Sequence, residues 1–276
     1  MTLVGAARKI RRKPVAAVGL ALVFSWVLVA LMAPLIAPYP PNAQDYSTIA
    51  MPTPSLRHWL GTDQLGRDIL SRLIWGARKV LSVAPIAVLA AYLAGGALGA
   101  FAAWSGGWID QAVNRGFDVI LSFPVLILYV ILIVSIGPSV GNVVFAVAFT
   151  STPVIGRIVR GLVLELKRQG YVEAARMRGE RGWWIVACEI LPNARGPLIV
   201  DACIRLGWTI TKIGVLGFLG LGLPPPDPDW GGMVKESTGL MIVWPHMAIF
   251  PSLAIVSLVV GFNLIADGLQ GAERRL

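Results

Sequence analysis

Residues 8–37 read RKIRRKPVAAVGLALVFSWVLVALMAPLIA. Five bases, Arg8, Lys9, Arg11, Arg12 and Lys13, stand directly before an apolar run from Val15 to about Ala37. A helix rises about 1.5 Å per residue, so about 20 apolar residues cross the roughly 30 Å hydrocarbon core of a bilayer. A secretory signal peptide has the same order of charge and then apolar residues, but its apolar part is only about 7–15 residues long. The run reads instead as an uncleaved signal-anchor helix with the N-terminus inside. Pro38, Pro40 and Pro41 stop it, because proline has no N–H to donate and clashes with the preceding turn.

Outward from this stretch the pattern repeats. Apolar runs predict spans over about Lys79–Trp104, Phe117–Gly137, Val140–Leu162, Leu198–Gly222 and Met247–Leu269. The predicted fold class is an all-α membrane protein of six transmembrane helices. Residues 1–78 hold the first span, about 15–37, and a mixed polar loop. Residues 79–270 form a five-span core, and residues 271–276 a tail. The composition agrees: 56% of the chain is hydrophobic and 14% charged, where soluble domains carry about 25%.

The net charge of +9 invites a nucleic-acid partner, but the bases flank the apolar runs and form no separate basic domain. Lys and Arg near span ends set orientation. The N-terminal bases, Arg115, the stretch from Arg157 through Arg195, and Arg274 with Arg275 outweigh Lys235 and the outer trio Arg57, Arg67 and Arg72. The expected topology places both termini in the cytosol. Cys188 and Cys203 make no metal or redox motif and are expected as free thiols. His58 and His246 are too few for a zinc cluster. Gly95 and Gly99 form a small-xxx-small pair, and Gly214, Gly217 and Gly220 recur every third residue. Both patterns suit close helix packing in lipid, within one subunit or at a subunit boundary.

The connection between the fourth and fifth predicted spans, about 164–197, is long for a helix–helix loop. Glu173 to Arg178 are good helix formers, and Gly179 should end that helix. Ala174 and Ala175 leave a flat surface on which another protein can pack. Trp183, Trp184 and Ile185 open a second short apolar helix that Leu191-Pro192-Asn193 ends. An interfacial amphipathic helix lying on headgroups is the alternative that pattern alone leaves open.

Glu173-Ala174-Ala175, then Gly179, then Ile190-Leu191-Pro192 resembles the EAA loop of ATP-binding cassette (ABC) importer permeases. Further stretches narrow the resemblance to the dipeptide/oligopeptide/nickel permease family, DppC/OppC-type subunit. These are Gly61-Thr62-Asp63-Gln64-Leu65-Gly66-Arg67-Asp68, Gly106-Gly107-Trp108-Ile109-Asp110 with Arg115, Asp118 and Pro124, and Arg157 with Arg160 and Gly161. Phe218-Leu219-Gly220-Leu221-Gly222 with Pro225, Trp230 and Gly231 completes the set. Glu189 departs from the family pattern, which usually has an apolar residue or histidine there.

The resemblance implies a type I importer permease fold in a bacterial inner membrane. It implies a paralogous DppB/OppB-type permease, two cytosolic ABC ATPase subunits and a substrate-binding protein as partners. The loop would be a coupling helix, with Tyr171, Glu173, Ala174, Ala175, Arg178, Gly179, Leu191 and Pro192 as ATPase-coupling residues. No Gly-x-x-x-x-Gly-Lys-Ser/Thr stretch occurs, so this chain is expected to be no enzyme and to bind no cofactor, with ATP and Mg held by the ATPase subunits.

Asp201, Arg205 and Lys212 fall in the fifth predicted span. The first two are four apart and share a helix face. All three are candidates for the translocation path, and Lys212 has contact with the sister subunit as its other reading. Asp63, Arg67 and Asp68 are candidates for contact at the periplasmic face. Trp230 and Trp244 read as interfacial anchors, and Asp118 as a partner of nearby arginines. The cargo, a di- or oligopeptide, nickel or another small solute, is left open. A stand-alone carrier would want a mid-membrane carboxylate chain, and an intramembrane enzyme a converging nucleophile or acid pair. The sequence offers neither.

Overall fold

The computed structural model describes residues 14–224 and 227–273. The bases Arg8, Lys9, Arg11, Arg12 and Lys13, the pair Arg274 and Arg275, and Pro225 lie outside the described residues. Helix α1 (Pro14–Leu31) is followed by the short α2 (Ala33–Ile36), which ends where Ala37 turns extended before the prolines. Helix α3 (Ile69–Ala91) runs through a wide π turn (Tyr92–Gly96) into α4 (Ala97–Ser105), giving a continuous rod of 37 residues. Then come α5 (Gly107–Leu121), α6 (Val125–Ile136) and α7 (Val140–Leu166). The loop element holds α8 (Gly170–Met177), α9 (Gly182–Trp184), a second π turn (Ile185–Ile190) and α10 (Leu191–Asn193). The chain closes with α11 (Arg195–Phe218), α12 (Trp230–Ser237) and α13 (His246–Glu273).

Among the described residues, four helical stretches are long and apolar enough to cross a membrane: α1, the α3–α4 rod, α7 and α13 to Gln270. The pair α5 and α6 makes a fifth if it acts as one broken span. The straight third span expected over Phe117–Gly137 is instead bent by 86° at Ser122-Phe123-Pro124. Pro124 disfavours helical backbone in the residue before it, which ends α5. Helix α11 is 24 residues long, but Asp201, Arg205 and Lys212 lower its apolarity below that of the others. The second span also begins ten residues earlier than its apolar run, because the Asp68 carboxylate accepts the Ser71 N–H at 2.7 Å and caps α3.

In lipid, dispersion and close backbone approach take over from the hydrophobic effect. The α3–α4 rod lies against α7 at its glycines. A β-carbon at Gly95 would stand 2.3 Å from the Thr152 carbonyl, and one at Gly99 2.1 Å from the Gly156 carbonyl. The small-residue pair therefore packs helices within this chain. Gly214 and Gly217 likewise receive α12, with Gly231 against the Gly214 carbonyl and the Asp229 carboxylate against Gly217. Helix α1 lies along α13, with Gly19 against Gly261 and Leu264. One apolar cluster joins α1, α3, α6, α7, α11, α12 and α13, and a second joins α4, α7 and the loop element. Trp230 is no interfacial anchor. It is 1% exposed, packs edge-on against Trp26 at 5.0 Å and donates to the Leu73 carbonyl at 3.0 Å.

Replacing Gly99 by Val should cost more than about 2 kcal/mol through overpacking against the Gly156 backbone. Gly96→Ala meets only a methyl of Val159 at 3.8 Å and should be neutral or slightly stabilising. Thermal unfolding of both variants in detergent, followed by tryptophan fluorescence, checks the contrast.

Candidate functional site

The loop element is built from two short helices that meet at Gly179. Its φ of +76° is open to glycine at little cost. The Glu180 N–H returns to the Ala175 carbonyl at 3.2 Å and the Gly179 N–H to that of Arg176 at 2.9 Å. This pairing closes the C-terminus of α8. The second arm widens into its π turn just before Pro192, which has no N–H to donate and crowds the turn before it.

One face of the element points into the protein. Val172, Ala175, Ile185 and Ile190 are fully buried, in one cluster with Ala103, Val159 and Val163. The other face is open: Glu173, Ala174, Arg178 and Pro192 are exposed, and Met177 is 90% exposed. Ala175 is thus not a surface residue. It holds α8 against the bundle, and Ala174 alone of the alanine pair lies outward. Tyr171 and Leu191 are half-buried. Burial pushes the Tyr171 phenol up, against the opposing pull of the nearby Asn193 side chain. Glu189 acquires a role: the Arg178 guanidinium contacts Glu180 at 2.8 Å and Glu189 at 3.5 Å, tying the two arms together.

The element is fastened to the helices beside it. Lys167, just past the end of α7, donates to the carbonyls of Ala103 and Trp104 at 3.1 and 2.6 Å and so caps α4. Burial and then the nearby Arg176 charge hold the Lys167 ammonium below the usual lysine range. Arg160 grips Asp110 through two contacts of 2.6 Å. Arg157 pairs with Asp118, as the arginine-partner reading of Asp118 requires. Cys188 and Cys203 are free thiols.

Within the bundle, Asp201 and Arg205 form the pair their spacing suggests, at 3.1 Å. The Tyr92 hydroxyl, in the first π turn, donates to Asp201 at 2.5 Å. Lys212 donates to the Ser151 hydroxyl on α7 at 2.9 Å. These groups link α11 to the rod and to α7.

At the other end, Asp63, Arg67 and Asp68 are largely buried and engaged in ion pairs within the chain. Asp63 accepts from Arg67 at 2.6 Å and Arg72 at 2.7 Å, as well as from two backbone N–H groups. Both arginines reach Glu236 on α12, at 2.6 and 3.3 Å. Asp68 is 2% exposed and meets His58 at 2.9 Å. The network joins the first loop to the segment after α11. Sequence reasoning missed Glu236, whose only signal is that it lies six residues after Trp230. It also missed Asp229, whose carboxylate accepts the Gly231 N–H at 3.2 Å. Burial pushes that carboxyl up to about 6, against the pull of its backbone donors.

Residues 95–275 match the family described as the binding-protein-dependent transport system inner membrane component, and residues 3–54 match the N-terminal transmembrane domain of oligopeptide transport permease C. The chain belongs to the ABC importer permease family. Its relatives are permease components of such transporters rather than catalytic subunits. It is 38% identical over 265 residues to the dipeptide transport system permease protein DppC of Alkalihalophilus pseudofirmus, covering 96% of this chain and 87% of that protein. It is 40% identical over 266 residues to the glutathione transport system permease protein GsiD of Pectobacterium atrosepticum, covering 96% and 88%, and equally to GsiD of an Escherichia coli strain. The relatives thus extend over the rod, the loop element and the ionic network alike.

Two outcomes follow for this permease. Asp63→Ala strands the buried Arg72 guanidinium with one fewer carboxylate and should destabilise by roughly 3 kcal/mol or more, read as a lowered melting temperature. Asp229 binds its proton more tightly folded than unfolded, so its contribution to stability is present at low pH and is lost as pH rises through about 6. Asp229→Asn keeps the helix cap, and the difference in melting temperature between variant and parent should grow in the variant's favour from pH 5 to pH 7.

Proposed function

We propose that this chain is one of two permease subunits of a peptide importer, and that the loop element is the surface on which a cytosolic ATPase docks. The observation that carries this is the division of that element into two faces. A glycine-jointed pair of helices fastened by Val172, Ala175, Ile185 and Ile190 yet open along Glu173, Ala174, Met177 and Arg178 presents a fixed surface to a partner. In this reading the chain crosses the inner membrane six times. The bent pair serves as the third crossing and α11 as the fifth, both termini are cytosolic, and the Asp63 network lies outside.

Helix α11 can cross despite its charges because Asp201 and Arg205 neutralise one another and Lys212 has a hydroxyl partner. Polar groups in lipid are tolerated where they face a partner or a water-filled cavity. Asp201, Arg205 and Lys212 then stand beside the path that this subunit forms with its paralogue. ATP and Mg bound by the ATPase subunits supply the energy. A switch between inward- and outward-facing states needs an interaction that differs between the two states, and the docked loop supplies it. A binding protein delivers the cargo. The relatives named for dipeptide and glutathione transport favour a small peptide over nickel.

Reconstitution with the paralogous permease, ATPases and binding protein in liposomes tests the reading. Glu173→Arg reverses a charge on the open face, and Gly179→Val strains the joint. Each should lower substrate-stimulated ATP hydrolysis by about tenfold, within the usual range of coupling energies. Unchanged coupling in both would contradict the docking role. Lys212→Met should reduce uptake of peptide without releasing the ATPases, and normal uptake by that variant would remove Lys212 from the path.

A further inference from the structure

Three separate elements converge on the indole of Trp104, the penultimate residue of α4. Lys167, beyond the end of α7, places its ammonium 5.2 Å from the ring centroid while also donating to the Trp104 carbonyl. Arg176, on α8, places its guanidinium 4.8 Å from the ring. Gly182, at the start of α9, lies so near the indole that a β-carbon there would stand 2.1 Å from Nε1. Cations over an aromatic face are held electrostatically and with direction, more so where water is excluded. The loop element also packs on the bundle through apolar residues, Val172, Ala175, Ile185 and Ile190 among them, and apolar contact is non-directional.

Two further features lie next to Trp104. A half-open groove of about 600 Å³ is lined by Trp104 together with Tyr92, Trp183, Val186 and Leu191, so the indole and the second arm are not close-packed on that side. The rod that ends in Trp104 contains the π turn Tyr92–Gly96, and single π turns inside helices recur at functional sites. Tyr92 within it bonds to Asp201 on α11.

We propose that Trp104 is the joint through which a displacement of the loop element reaches the spanning helices. Arg176 grips it from α8, and the rod carries the movement to the π turn and on to Asp201 and α11. In this proposal Trp104 is a positioning residue, acting through Arg176 and the rod. The proposal rests on the reading of the loop element as an ATPase dock.

The test uses the complete importer in liposomes and reads substrate imported per ATP hydrolysed, together with the amount of ATPase that co-purifies. Trp104→Leu should keep the ATPase bound and lower the import ratio about tenfold. Trp104→Phe keeps an aromatic face and should stay within about threefold of the parent. Arg176→Gln should lower the ratio by itself and add little to Trp104→Leu, since both remove one interaction. Should Trp104→Leu fail to fold, Arg176→Gln, at an exposed position of α8, decides alone, and a parental ratio in it overturns the joint.

A parental ratio in Trp104→Leu with the ATPase bound, or fully additive effects of the two substitutions, overturns the joint. It leaves the dock intact. Absence of the ATPase from the parental preparation overturns the dock and the joint with it.

Discussion

The approach of the α3–α4 rod to α7 at Gly95, Gly99 and Gly156 governs the end of the molecule that carries the loop element. With backbones this near, the last turn of α4 reaches the foot of α7, where Lys167 caps its carbonyls. The same approach forms the floor on which Val172, Ala175, Ile185 and Ile190 are buried. Larger residues at those glycines would push the helices apart, and the loop would lose the surface that holds its inner face. In hydrocarbon no hydrophobic force between helices replaces such packing.

Charge is handled by a second constraint. Ionisable groups away from water must meet partners inside the chain. Asp201 meets Arg205 and Tyr92, Lys212 meets Ser151, and Asp110 meets Arg160. At the opposite end Asp63, Arg67, Arg72 and Glu236 bind the first loop to α12. Each of these pairs spans two elements except Asp201–Arg205 and Asp63–Arg67. The polar groups therefore fix how helices sit relative to one another as much as they satisfy charge.

What the sequence made legible was periodic or local. Apolar runs located α1, the rod, α7 and α13, and Gly179 with Pro192 marked the joint and the end of the loop element. The Asp201–Arg205 pair followed from a spacing of four on a helix. What it hid was tertiary. Pro124 sits in an apolar run, and its 86° bend depends on backbone direction that composition does not record. Trp230 reads like a membrane-surface anchor until Trp26 and Gly76 enclose it. Asp63, Arg67 and Asp68 look solvent-facing because several of their partners are distant in sequence, Arg72 nine residues from Asp63 and Glu236 169 residues from Arg67. Glu189 broke the family pattern only until Arg178 supplied its counter-charge.

In the proposed function the outer face of α8 meets another protein on the cytosolic side. The most direct measurement of that contact is site-specific cross-linking from a cysteine placed at Ala174 in a Cys188→Ser, Cys203→Ser background of the assembled transporter. A covalent product joining this chain to an ATPase subunit, with yield that changes when nucleotide is added, is the predicted result. Labelling of that cysteine by a membrane-impermeant reagent applied from outside intact cells, with no ATPase product, would contradict it.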